Sequence, residues 1–439
     1  MAEAGAGPGI AAGCGAGSAG RTLAQKIIAR ASGRSQVLPG EVVTCRADLV
    51  LLLDSGGPRR IWPRLRELGV GLHDAGRIVL VNDHFVPAVD AGSAAILRLT
   101  RDFAREFGIH RFFDMQGIGH VLLLERGLVQ PGMFICGGDS HTSNAGAGAA
   151  YAMGLGAIEM TGVAVTGEIW VPVPETIRVD CSGRFARGVV AKDIMLQLCR
   201  ELGMDNAFRA IEYGGTAVAA MPLAERAVLC NMAAELGAET GLVEADATTL
   251  AALQAAGQQP VDDALAWRSD VDARYLEVHA LDVAALAPQV AAPHSPANSA
   301  PVTQFAGTAI DQAYIGSCMG AKLGDLHCVA EVLRGRQVAA GVRLLVAPAS
   351  QRIWAAAAAD GTLATLTAAG ATLLPSGCGA CAALGAGVLG EDEVCISSTN
   401  RNFRGRMGAS SAQVYLGSPY TVAASAVAGR IADPREFLA

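Results

Sequence analysis

The chain has 439 residues, of which 51% are apolar, 17% charged and 5% aromatic, with a formal net charge of −7. That length exceeds one ordinary core and implies two or three lobes. The acidic balance argues against a general nucleic-acid or anionic-membrane binder, so any anion site must be a local cluster of arginines.

No secretory signal is evident, because the N-terminus lacks a basic segment followed by an apolar core. The most apolar runs are rich in Gly and Ala, and charges interrupt them before membrane-spanning length. Eleven cysteines without regular spacing suit a reducing compartment better than a disulfide framework, so a cytoplasmic protein with no membrane partner is expected.

Residues 1–21 are Gly/Ala-rich with almost no bulky side chains and are expected to form a disordered extension, in which Cys14 is incidental. Order is expected from Thr22, where Leu23, Ile27 and Ile28 take helical spacing. A first α/β lobe is expected over residues 22–168. Residues 42–54 read as strands and 61–68 as a helix, and the run 77–81 ends in Asn82-Asp83-His84. An Asp-His pair at a strand end lies where open α/β sheets bind ligands. Alone, such a pair is more often a polar surface turn. Residues 91–107 read as a helix. Gln116-Gly117-Ile118-Gly119-His120 then precedes a β-rich run over 121–124. Phe134-Ile135-Cys136 leads into Gly138-Asp139-Ser140-His141-Thr142, and the Gly/Ala run through Gly154 and Gly156 suggests a packed helix. Ionisable or hydroxyl side chains at three successive strand exits are hard to ascribe to caps and Asx turns alone.

A second lobe is expected over 169–284. Strands are read at 169–174, 177–180 and 208–213, and helices at 191–202 and 221–236. Asn231 and Glu235 would share a helix face at i, i+4, among alanine and cysteine neighbours. Residues 285–302, rich in Ala, Pro, Ser and Asn, read as a linker.

A third lobe is expected over 303–439. Strands over 313–315, 343–347, 372–374 and 394–398 alternate with helices over 326–333 and 353–359. Cys318, the pair Cys378 and Cys381, and the loop Thr399-Asn400-Arg401-Asn402-Phe403-Arg404-Gly405-Arg406 all leave strand ends. Arginines so grouped suit bidentate capture of carboxylates. Thiolates are soft ligands for zinc, copper(I) or iron–sulfur clusters, and small neighbours let backbone N–H groups approach an inorganic core. Structural zinc takes four protein ligands, whereas three cysteines leave a metal position open. The set therefore reads as a [4Fe–4S] cluster with one substrate-facing iron, with buried thiols, a redox pair and zinc as the alternatives.

Taken together, these motifs resemble the aconitase superfamily, and within it the large-subunit family of 3-isopropylmalate dehydratases. The resemblance covers about Thr22 to Leu438 and rests on Asp83-His84, Gly117 to His120, Gly138 to Thr142, Asn231-Met232-x-x-Glu235, Gly316-Ser317-Cys318, Cys378-x-x-Cys381 and Ser398 to Arg406, in the family order. It implies an α/β core of three lobes around a [4Fe–4S] cluster held by Cys318, Cys378 and Cys381. It also implies that Asp83 orients His84 as an acid. His120, Asp139, His141 and Glu235 would surround the reacting water, Ser140, Arg401 and Arg406 would hold substrate carboxylates, and Asn231 and Asn400 would hydrogen-bond near the cluster. The swivelling domain of full-length aconitases has no counterpart before Ala439, so a separate small subunit carrying it is expected, in a heterodimer or heterotetramer. The substrate implied is a di- or tricarboxylate, foremost 2-isopropylmalate on the route to leucine, with citraconate, dimethylmalate and homoaconitate as related choices. A cluster-free binding protein of the same fold is the reading from another class. One departure is Met319, which stands where the family usually carries threonine.

Overall fold

The structure is a computed structural model that describes residues 20–438, so the Gly/Ala segment before Gly20, with Cys14, lies outside the described residues. Gly20 bridges to Ala273, and the Arg21 amide donates to the Asp270 carboxylate at 2.8 Å. The first helix, Leu23–Ala31, starts in a capping box between Thr22 and Gln25.

Three main sheets carry the chain. The first is all parallel, in the order Phe112–Asp114, Ile78–Asn82, Leu49–Leu53, Phe134–Gly137, Tyr151–Gly154. Its central strands, Leu-Val-Leu-Leu-Leu and Ile-Val-Leu-Val-Asn, are buried at every position, as strands covered on both faces must be. Helices Pro58–Leu68 and Ala91–Glu106 pack together through Trp62 edge-on to Phe103, with ring centres 5.5 Å apart.

The second sheet is also parallel, in the order Thr240–Val243, Arg209–Gly214, Glu175–Ser182, Glu277–Asp282. The strand Glu168–Pro172, expected at the start of this lobe, instead pairs antiparallel with Val42–Arg46. The third sheet is mixed and runs Ser299–Pro301, Gln289–Ala291, Gln413–Gly417, Val394–Ser397, Gln312–Ile315, Arg343–Val346, Thr372–Leu373. Its last five strands are mutually parallel, and its first two are added antiparallel. No helix among the described residues is long and apolar enough to cross a membrane.

Four local expectations are corrected. The run 121–124 lies in a helix, Gly119–Glu125, because a short apolar run carries no period that separates strand from buried helix. The Gly/Ala run after His141 is a 3-10 segment, Ser140–Gly148, followed by the strand Tyr151–Gly154. The helix expected over 221–236 stops at Asn231 and tightens into a 3-10 turn, Met232–Ala234, so Asn231 and Glu235 do not share one continuous α-helical face. The segment expected as a linker carries the two antiparallel strands of the third sheet, where buried Val290 and Ala291 pair with Gly417 and Leu416.

The first two sheets dock through the 3-10 segment. Thr240 Oγ1 donates to the Ala152 carbonyl at 2.7 Å, and a Cβ on Gly146 would lie 1.8 Å from the Gly241 carbonyl oxygen. A backbone oxygen cannot swing aside as a side chain can. Gly146→Ala is expected to destabilise the fold by about 3 kcal/mol, read as a lower urea midpoint at unchanged slope.

Candidate active site

Parallel strands place their carboxyl ends on one edge, and the loops leaving those edges carry most of the polar side chains described here. From the first sheet come Asp54, Asp83 and His84, His120, and Asp139 to His141. From the third come Cys318, Cys378 and Cys381, and Asn400 to Arg406. Asn231 and Glu235 come from the end of the helix Leu223–Asn231 and the turn after it.

Around His84 two carboxylates meet. Asp83 Oδ1 lies 2.6 Å from His84 Nδ1, and Asp83 Oδ2 accepts the Gly119 amide at 2.8 Å. Asp54 accepts the amides of His84 and Phe85 and stands 3.5 Å from Nδ1. Burial works against a charged His84, but the Asp83 charge and the hydrogen bonds that the ring donates to both carboxylates outweigh it and hold the imidazole well above its ordinary range. Burial also raises Asp83.

A second cluster centres on Asp139. Its Oδ1 lies 3.0 Å from His120 Nε2 and 3.2 Å from His141 Nδ1, and accepts the His141 amide at 2.8 Å. His141 Nε2 lies 3.1 Å from Glu235 Oε1, which also accepts from Arg401 Nε at 2.6 Å. Arg401 Nη2 in turn donates to Ser140 Oγ at 2.9 Å. Burial alone would raise Asp139, but the hydrogen bonds from His120 and His141 carry it well below the usual carboxylate range. Burial would lower His141, but the Glu235 charge and the hydrogen bonds to Asp139 and Glu235 hold it up at about 9. Three buried atoms here have no partner: Glu235 Oε2, His120 Nδ1 and Arg406 Nε. Unpartnered polar atoms gathered in one place are the mark of a site that awaits a reactant.

Cys318, Cys378 and Cys381 are free thiols near enough to feel one another's charge. Asn231 Nδ2 donates to Cys318 Sγ at 3.2 Å, and the Asn400 amide bonds the Asn231 side chain. The Cys378 amide donates to the Asp83 carbonyl at 2.7 Å, which ties the Cys-x-x-Cys turn to the His84 cluster. Burial pushes Cys318 up to about 12. Cys378 hydrogen-bonds Cys381 and, with the Arg406 guanidinium beside it, pulls Cys381 down. This donor set, soft sulfurs with N–H donors and a guanidinium around them, fits a sulfur-ligated metal group of net negative charge.

All the candidate residues read from the sequence thus fall into one connected region. Asp54, Asn144 and Lys192 join it without having been singled out. Asn144 bridges Asn231 and the His120 carbonyl, at 3.1 and 3.0 Å. Lys192 is 3% exposed and donates to the Thr399 carbonyl at 2.5 Å; burial lowers it to about 8. No local signal marked them: Asp54 follows an apolar strand, and Lys192 sits near the start of the helix Ala191–Glu201.

A family model described as "Aconitase family (aconitate hydratase)" matches residues 84–429. The 3-isopropylmalate dehydratase large subunit 1 of Methanopyrus kandleri is 44% identical over 425 residues, covering 95% of this chain and 100% of that relative. The probable methanogen homoaconitase large subunit of Methanothermobacter thermautotrophicus is 41% identical, covering 94% of this chain and 97% of the relative. The 3-isopropylmalate dehydratase large subunit of Oleidesulfovibrio alaskensis is 43% identical, covering 94% and 99%.

A histidine whose folded pKa is raised adds stability that is complete below about 6.5 and is lost as pH rises through the folded value. For His141 that value is about 9, and the Glu235 charge is the largest cause raising it. Glu235→Gln is therefore expected to lower the urea midpoint most below pH 6.5, with the gap to wild type narrowing as pH rises through about 9. A gap independent of pH would show that the pair is not charged in the folded state.

Proposed function

The chain belongs to the aconitase family and is a hydro-lyase similar to 3-isopropylmalate dehydratase large subunits, and we propose that it dehydrates and rehydrates a 2-alkylmalate-type acid, foremost 2-isopropylmalate to 3-isopropylmalate. The observation that carries this reading is the meeting of three free thiols, a doubly held imidazole and an arginine loop at facing strand ends. Cys318, Cys378 and Cys381 would hold a [4Fe–4S] cluster. Bound there, the cluster would supply Lewis acidity toward the substrate hydroxyl.

The chain's own residues supply the rest. Loss of water across a C–C bond needs a base for a weakly acidic proton, an acid for the departing hydroxyl, and a hold on the substrate carboxylates. His84, kept protonated by its carboxylates, gives its proton to the hydroxyl. Arg401 with Ser140, and Arg406, bind carboxylates and fix the substrate's face. His120, Asp139, His141 and Glu235 hold the released water; on rehydration it gives its hydroxyl to the other carbon and a proton back to His84, while the proton taken by the base goes to the carbon that lost the hydroxyl. Asn231 and Asn400 hydrogen-bond at Cys318 and steady its orientation.

The base is assigned to a serine of a small subunit that closes the site. The curated relatives are large subunits by name, which supports such a partner. So does Phe403, 40% exposed just beyond Arg401. Homoaconitate is the second substrate class, favoured by the methanogen relative. The buried thioether of Met319 stands next to Cys318, where it replaces a hydroxyl with an apolar group.

Anaerobic reconstitution with iron and sulfide is expected to give a brown chain with visible charge-transfer absorption. A colourless wild-type chain would overturn the cluster and favour a binding protein. Cys378→Ser should lose colour and turnover together. His84→Ala should keep the colour and lose turnover by about 10²–10⁴-fold. Turnover on 2-isopropylmalate should require the small subunit; a lone chain at full rate would contradict the shared site.

A further inference from the structure

Asp54 ends the strand Leu49–Leu53 and is fully buried, with its own amide bonded to the Val81 carbonyl at 3.0 Å. Its two oxygens take the His84 amide at 3.1 and 3.2 Å, and Oδ2 also takes the Phe85 amide at 3.1 Å. Oδ1 is left 3.5 Å from His84 Nδ1, beside the 2.6 Å contact from Asp83. One imidazole nitrogen therefore faces two buried carboxylates from adjacent strands. Two like charges at that range are stable only if the group between them keeps its proton. With Nδ1 engaged on this side, Nε2 is the nitrogen left for a reactant.

The other charged groups around the imidazole are few. Arg59, on the helix Pro58–Leu68, lies over the Phe85 ring with its guanidinium carbon 5.4 Å from the centroid, within charge range of Asp54. The Cys378 turn meets this cluster through the Asp83 carbonyl, and its thiol feels the Asp83 charge. From the third side, Gly119 contributes only its amide, to Asp83.

We propose that Asp54 is a positioning residue for the dehydration step, clamping the backbone of His84 and Phe85 and adding the second negative charge that keeps the His84 imidazole protonated and aimed through Nε2. The proposal rests on the reading of His84 as the proton donor. It separates two duties of one carboxylate, a steric one toward the two amides and an electrostatic one toward the ring. An asparagine can keep the first: an amide oxygen at the Oδ2 position reaches both N–H groups, at 3.2 and 3.1 Å. It cannot keep the second. Alanine loses both.

The test is the pH profile of kcat/KM for the reconstituted two-subunit enzyme, with histidine-selective NMR of the full chain, the His84 signal being assigned by its loss in His84→Gln. Asp54→Asn is expected to move the alkaline limb down by about 1 pH unit, with KM unchanged, and to move the His84 titration the same way. Asp54→Ala should lower kcat at every pH as well. A folded Asp54→Asn whose limb and titration both stay put overturns the proposal. So does a wild-type His84 that titrates near pH 6.5, a result that needs no variant to fold. An inactive, colourless chain whose His84 titration still responds to Asp54→Asn would sink the reading of the site while leaving the hold of Asp54 on His84 in place.

Discussion

Charge held out of water is the constraint on which this structure turns. Asp54, Asp83 and Glu235 are each 1% exposed or less, and an isolated carboxylate in that setting would protonate or unfold the chain around it. None is isolated. Asp54 and Asp83 share His84 within the first sheet, whereas the counter-charges of Glu235 arrive from elsewhere: His141 from the first sheet and Arg401 from the third both reach it at the end of the turn after the helix Leu223–Asn231. For Glu235, docking the sheets and neutralising the buried acid are therefore one event. A half-formed version of the network would cost more than an apolar core in the same place.

The same network explains why the region suits chemistry. Each of these imidazoles already has its orientation set by a carboxylate, and Asp54, Asp83 and Asp139 accept backbone N–H groups before any substrate arrives. Little reorganisation is left for the reacting step. The atoms without partners, Glu235 Oε2, His120 Nδ1 and Arg406 Nε, mark where the network ends and a reactant begins. On the thiol side, Asn231, Asn400 and Arg406 direct N–H groups at the sulfurs, so the soft donors sit among groups that favour the thiolate.

Much of the architecture was legible because alternation of β-rich runs with helical spacing is a local property. The fully buried strands Leu49–Leu53 and Ile78–Asn82 could hardly be anything else. Legibility failed where local preference is weak. Gly119–Glu125 is apolar without a decisive period and becomes a helix because its first turn is pinned by Asp83 and by the bond from the Ile118 amide to the Ala349 carbonyl. Gln289–Ala291 has no strand signature and becomes one because an edge of the third sheet is there to be completed. In both places tertiary contact outweighed propensity.

By itself the sequence determined which side chains are available at which strand ends: Asp83-His84, Asp139 to His141, the three cysteines and the arginine loop. It could do so because a strand followed by a turn is written in neighbouring residues. It also carried the family, because those motifs recur in a set order. Only the tertiary structure decided that these ends face one another, and that Asp54, Asn144 and Lys192 turn inward to join them. Their role depends on partners far away in the chain, such as the Thr399 carbonyl that lies 207 positions from Lys192. A single acidic or basic residue looks the same in a sequence whether it meets water or a buried partner. The difference is made by desolvation, which exists only once the sheets have closed.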